Sequence, residues 1–216
     1  MGKKIAIYGA GTIGACQATL TSGNGYSTVV IGHSEEGLSR CRNTMLQNWN
    51  DLIAQKLATA ANRRAAMDLV TITNDVSALR DCDIVFEAVS EDVNIKQRVY
   101  SIITEVCGRD IIVVSTTSSI DAAILAEKIE NPARFLIAHP FQPVHMLPLV
   151  EVVRHTETSE ETLNQVCTLL KDLNRQVVML NRSVPGFLVN RFAQALFRES
   201  IYLIEQGITT AADIDR

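Results

Sequence analysis

The chain has 216 residues, 47% hydrophobic and 20% charged, which allows a full core in one large domain or in one domain plus part of another. Its 20 Lys+Arg against 24 Asp+Glu, with no basic cluster, exclude nucleic acid and anionic lipid as expected partners. Met1-Gly2-Lys3-Lys4 leads straight into Ile5-Ala6-Ile7-Tyr8, too short for a signal-peptide core or a bilayer span, so a cytoplasmic protein with no membrane partner is expected.

Lys4 to Tyr8 reads as a first strand. Gly9-Ala10-Gly11-Thr12-Ile13-Gly14 follows it and opens a helix through Ala15 to Leu20, the arrangement that sets a pyrophosphate on a helix N-terminus. Gly9, Gly11 and Gly14, with Thr12 and Ile13, are therefore candidate dinucleotide-binding residues. A second strand, Thr28 to Ile31, ends in Gly32-His33-Ser34, where an acidic residue usually holds the adenosine ribose. A small residue followed by His33 and Ser34 suits a 2′-phosphate, so NAD is the expected cofactor with NADP as its alternative. Glu35 and Glu36 read as first-turn charges of the next helix.

Glu35 to Ala66 is one long helical stretch or a helix pair, carrying the single tryptophan, Trp49, and longer than a crossover needs; something extra is expected to protrude there. Further strands are expected at Leu69 to Thr73, Asp83 to Ala88, Ile111 to Ser115 and Phe135 to Ala138, separated mostly by amphipathic helical stretches. That alternation predicts a parallel sheet covered on both faces. After His139 a strand at Leu149 to Val153, a helix at Glu160 to Leu173 and a strand at Gln176 to Leu180 extend the sheet. The fold class is thus α/β, a doubly wound, mainly parallel sheet of Rossmann type.

Pro185-Gly186 breaks the chain before an apolar helix, Phe187 to Gln206, and Thr209 to Asp213 starts another. Residues 1–184 read as the NAD(P)-binding domain with the catalytic histidine. Residues 185–216 read as the beginning of an all-helical C-terminal domain, expected to be truncated. The apolar face of Phe187 to Ile204 would need covering, by more chain or a second subunit. The five cysteines are scattered without C-x-x-C spacing, so no disulfide framework and no metal site are expected.

Catalytic candidates gather around Ala138-His139-Pro140-Phe141-Gln142-Pro143, which sets a histidine immediately after a buried strand at the ligand-binding edge of the sheet. Twelve residues later Glu151 interrupts an otherwise apolar run, and a carboxylate there is costly without a partner. His139 is the obvious partner. Together they would form a general base whose imidazole is fixed in one tautomer while hydride leaves for a nicotinamide. His145 lies in a loop near this site, and His155 reads as solvated.

These segments, with Val85-Phe86-Glu87-Ala88-Val89-Ser90-Glu91-Asp92, Ser115-Thr116-Thr117-Ser118-Ser119-Ile120 and Pro185-Gly186-Phe187-Leu188-Val189-Asn190-Arg191, closely resemble the 3-hydroxyacyl-CoA dehydrogenase family from Lys4 to Arg216. The resemblance implies an NAD-dependent oxidoreductase of fatty acid metabolism, homodimeric through its helical domain, acting on a small acyl substrate carried as a CoA thioester. It makes His139 the proton acceptor, Glu151 its orienting partner, Ser118 a hydrogen-bond donor to the substrate oxygen and Asn190 a further polar group at the reacting centre. Glu91 and Lys96 match positions beside the cofactor ribose and nicotinamide, and Gln142 stands in the motif next to them. Taken alone, Ser118 and Ser119 would equally cap a helix beginning near Asp121, and Asn190 would equally face solvent.

Three departures bear on substrate. Gln142 replaces the family's asparagine, Pro148 replaces a frequent lysine, and the stretch Asn48-Trp49-Asn50-Asp51 with Gln55 and Lys56 is poor in the cations that CoA phosphates need. The Pro-Leu-Val-Glu form is similar to the gulonate dehydrogenase (lambda-crystallin) and carnitine dehydrogenase branches. A small free hydroxy acid is therefore the alternative substrate, and an inactive, crystallin-like dinucleotide-binding protein the non-enzymatic alternative. The 6-phosphogluconate and hydroxyisobutyrate dehydrogenases share the opening motif but need a lysine where this chain has Asn190-Arg191.

Overall fold

The computed structural model describes residues 3–216. β1 (Lys4–Tyr8) leads into α1 (Thr12–Gly23), β2 (Ser27–Ile31), the helix pair α2 (Glu35–Ala54) and α3 (Ala60–Asp68), and β3 (Val70–Thr73). Next come β4 (Ile84–Glu87), α4 (Val93–Cys107), β5 (Ile112–Ser115), the short α5 (Ala122–Ala126) and β6 (Phe135–Pro140). β7 (Leu149–Arg154), α6 (Glu160–Asp172), β8 (Gln176–Leu180), α7 (Val189–Glu205) and α8 (Ala211–Ile214) complete the order.

All eight strands form one sheet in the order β3-β2-β1-β4-β5-β6-β7-β8. β1 to β6 pair in parallel, β7 runs antiparallel to β6, and β8 is parallel to β7. The order reverses at β1, which opens a crevice at the carboxyl ends of β1 and β4. Helices cover both faces, so strand residues alternate between two cores: Ile5, Ile7 and Phe86 enter one, Ala6, Val85 and Ile137 the other. Burial on both faces explains why the strands read as nearly unbroken apolar runs. The doubly wound, mainly parallel architecture is as the periodicity predicts.

Two local expectations change. The stretch after β2 is a helix pair, and it folds back on α1 instead of standing clear. Trp49 of α2 is 3% exposed, and its ring lies where a Cβ on Gly23 would come within 3.2 Å. Asn48 beside it donates to the Thr19 hydroxyl (3.1 Å), so even the polar residue on this face is satisfied by α1. His139 lies inside β6, not after it, because the strand continues to Pro140 to pair with β7.

α7 begins at Val189, two residues later than the apolar pattern predicts. Pro185-Gly186 and the positive φ of Phe187 (48°) hold the preceding turn. From its first turn to its last it carries Phe192, Leu196, Phe197 and Tyr202, each more than half exposed. Among the described residues, no helix is long and apolar enough to cross a membrane.

Candidate active site

The first wall of the site is backbone. A Cβ on Gly9 (φ +131°) would lie 2.3 Å from the Ala88 carbonyl oxygen, and one on Gly14 would lie 1.8 Å from the Gly9 carbonyl oxygen. Only glycine lets the loop, α1 and β4 approach so closely. A Cβ on Gly11 would meet nothing within 4 Å, so a side chain there would fill open space above the loop. No side chain caps α1 and no acidic residue stands in its first turn. The N–H groups of Thr12, Ile13 and Gly14 therefore remain available, with the positive end of the helix dipole behind them. That cradle fits the pyrophosphate of a dinucleotide.

Beside the loop opens a cavity of about 420 Å³ lined by Ile13, Glu91, Lys96, Ser118, His139, Gln142 and Asn190, among others. One side is built on Glu87, the last residue of β4, which is fully buried. Its Oε1 accepts from Lys96 Nζ (2.8 Å) and the Val89 N–H (2.9 Å), and its Oε2 from the hydroxyls of Tyr100 and Ser115 (both 2.8 Å). Burial and the adjacent Glu87 charge push the Tyr100 phenol up, so it stays protonated and donates to Glu87.

Lys96, 1% exposed, also reaches Glu91 Oε2 at 3.2 Å. Glu91 Oε1 accepts from the Thr117 hydroxyl, the Ser118 N–H (3.0 Å) and the Ser119 hydroxyl (3.2 Å). Burial opposes ionisation of Glu91, but the Thr117 hydroxyl, the Lys96 ammonium and the Ser118 N–H outweigh it and hold the carboxyl below its usual range. The loop after β5 is thus tied to α4 through one charge.

The other side is the cross-strand pair. His139 of β6 and Glu151 of β7 stand directly opposite in the antiparallel register, and His139 Nδ1 lies 2.8 Å from Glu151 Oε2. The second oxygen, Oε1, accepts the N–H groups of Leu188 and Val189, both at 2.9 Å, at the start of α7. A carboxylate there offsets its burial with two backbone donors and the helix dipole. With Nδ1 committed, Nε2 is the ring nitrogen left to act in the cavity. The rings of Phe141 (centroids 4.7 Å apart) and Phe187 (5.5 Å) flank the imidazole and keep it 7% exposed.

Ser118 is half-buried, its carbonyl accepting from Asn190 Nδ2 at 3.2 Å and its hydroxyl within 3.5 Å of Glu91. Asn190 therefore faces the site and not solvent, and Asp121, not Ser118 or Ser119, caps α5. The structure brings together His139, Glu151, Ser118, Asn190, Glu91, Lys96, Gln142 and Ile13, with Gly9, Gly11, Thr12 and Gly14 at the rim. His33 stands apart, exposed at the end of β2. His145 lines a separate cavity with Trp49 and Arg175, and His155 is half-buried, accepting the Glu157 N–H (3.2 Å) instead of lying free in solvent.

Glu87 was not singled out by the sequence reading, although it carries the signal that marked Glu151: a lone carboxylate within an apolar run. No cluster of metal-ligating side chains occurs among the described residues.

Residues 4–183 match the family described as 3-hydroxyacyl-CoA dehydrogenase, NAD binding domain. L-carnitine dehydrogenase of Bacillus cereus is 31% identical over 99% of this chain and 64% of its own length. 3-Hydroxybutyryl-CoA dehydrogenase of Clostridioides difficile is 29% identical over 98% of this chain and 75% of its own length. The crystal structure of M. tuberculosis FadB2 superposes with a TM-score of 0.92 at 30% identity, covering 98% of this chain and 74% of that one. The chain thus spans just under two thirds of the carnitine dehydrogenase and about three quarters of the other two.

Proposed function

Because the chain belongs to the 3-hydroxyacyl-CoA dehydrogenase NAD-binding domain family and its cofactor is NAD, we propose that it oxidises the C3 hydroxyl of a 3-hydroxyacyl-CoA to a ketone, or catalyses the reverse. One observation carries the reading: His139 Nδ1 is committed to Glu151, which leaves Nε2 as a base in a cavity next to the glycine cradle. When bound, NAD supplies the acceptor for the hydride that leaves C3. The chain supplies the rest.

His139 Nε2 takes the hydroxyl proton as the C–H bond breaks, and Glu151 stabilises the imidazolium that results. Ser118 and Asn190 hold the substrate oxygen and orient C3. Glu91 and Lys96 form the wall toward the cofactor ribose, and the first turn of α1 holds the pyrophosphate. In the reductive direction the same nitrogen returns the proton to the ketone oxygen. The far face of α7 is the surface on which a helical C-terminal domain and a homodimer would be built, since its exposed aromatic and aliphatic side chains need cover.

A second substrate reading, a small free hydroxy acid of the carnitine type, is favoured by Pro148 and by the lack of Lys and Arg in residues 48–54 at the end of α2. The test is to follow reduced nicotinamide by absorbance with the full-length protein, acetoacetyl-CoA plus NADH in one assay and carnitine plus NAD in the other. Rapid NADH oxidation in the first supports the CoA reading. Turnover in the second alone replaces it with the free hydroxy acid, and silence in both with the non-catalytic alternative.

A further inference from the structure

The end of β2 determines how the adenosine ribose is recognised, and here the usual carboxylate is missing for a steric reason. Gly32 is buried and its N–H bonds the Thr73 carbonyl (3.0 Å), so its backbone is fixed. It does not lie in the left-handed region, so its φ alone would admit a side chain. What forbids one is contact: a Cβ there would lie 2.8 Å from the Ala10 Cβ and 2.6 Å from Leu38 Cδ2. Leu38 can rotate a methyl away. The Ala10 Cβ, on the loop between Gly9 and Gly11, has no rotamer to change and moves only with the backbone.

No neighbouring acid replaces the missing one. Glu35 accepts from Asn74 Nδ2 at 3.2 Å, and Asn74 follows β3, on the side of β2 away from β1 and its glycine loop. Glu36 is paired with Arg40 on the α2 surface. At the strand end stand the exposed His33 and the half-buried Ser34, whose Oγ accepts the Gly37 N–H (3.2 Å) and keeps its own proton to donate.

We infer that Ala10 and Gly32 act as a specificity pair which keeps a carboxylate out of the ribose subsite, so that the domain binds the 2′-phosphorylated dinucleotide as well as NAD. The usual acidic residue bonds the ribose hydroxyl and repels a 2′-phosphate; without it the repulsion disappears, and His33 and Ser34 offer polar hydrogens to either group. This rests on the dinucleotide site described above and extends it to the 2′ position.

The test is binding, independent of any substrate. The full-length protein is titrated with NADH and with NADPH, each followed by the fluorescence of the bound nicotinamide. The two dissociation constants should agree within about thirtyfold, and a larger penalty on NADPH overturns the inference. The variant A10G/G32D, with room for the new carboxylate, should raise the penalty on NADPH relative to NADH by about a hundredfold over wild type. An unchanged ratio in that variant overturns the assigned cause even if wild type tolerates both. Wild type binding neither nucleotide would instead remove the dinucleotide reading itself, and a thermal melt separates that case from misfolding.

Discussion

Glu87 and Glu151 are both fully buried carboxylates at the carboxyl edge of the sheet, each with both oxygens occupied. Their donors differ. Every donor to the Glu87 carboxylate comes from the segment Val89 to Ser115, and its cationic partner, the Lys96 ammonium, is spent on Glu87 and Glu91. Glu151 holds an imidazole whose second nitrogen is uncommitted, and its other oxygen binds the start of α7. The same residue type in the same kind of place thus builds a fixed strut on one side of the cavity and a proton-transfer pair on the other. What separates them is whether the partner has any hydrogen-bonding capacity left.

The comparison is broken most severely at the imidazole. His139→Gln keeps polarity and similar size but cannot accept a proton at the required position, so turnover should fall by roughly 10²–10⁴-fold while NADH binding, measured by fluorescence, stays near wild type. A variant as active as wild type would show that His139 is not the base. The opposite split is expected at Glu87. Glu87→Gln leaves the buried Lys96 ammonium with only the Glu91 carboxylate and should destabilise the fold by about 3 kcal/mol, read as a lower urea midpoint with an unchanged slope. If that variant melts like wild type, Glu87 is not the strut assigned here.

Both carboxylates lay within reach of one sequence argument, and only one was reached. Glu151 stood out because His139 offered a partner a short way along the chain. Glu87 interrupts an equally apolar run, but its partners Lys96, Tyr100 and Ser115 become neighbours only once α4 has crossed the sheet and β5 has paired with β4. The glycine loop was legible because its chemistry is local: a strand, a turn and a helix N-terminus within eleven residues, Lys4 to Gly14. The antiparallel course of β7 was not, since alternation of side chains is the same in either direction. The contact between Ala10 and Gly32 was also hidden, because it depends on how closely two loops approach, which spacing does not encode. The missing acid was visible, but the reason for it was not.

The subtlest difference between the two sides is in acid. Glu91 joins the strut to the loop after β5, and its pKa is held below the usual 4.5 by Thr117, Lys96 and Ser118 despite the opposing effect of burial. A carboxyl with a depressed folded-state pKa binds fewer protons in the folded than in the unfolded chain. Its contribution to stability is therefore complete above the unfolded value and is lost as pH falls through the folded one. Glu91→Gln removes that contribution, so the stability gap between wild type and variant should be widest near neutrality and close below about pH 4.5. Glu91 is partly open to the cavity, so solvent screens the effect and the gap should be modest. Urea melts of both proteins from about pH 7 to about pH 3 measure it, and a gap that does not change across that range would mean that Glu91 acts through packing and not through its charge. A gap that closes in acid would identify Glu91 as the ionised link between a silent ion pair and the loop that carries Ser118.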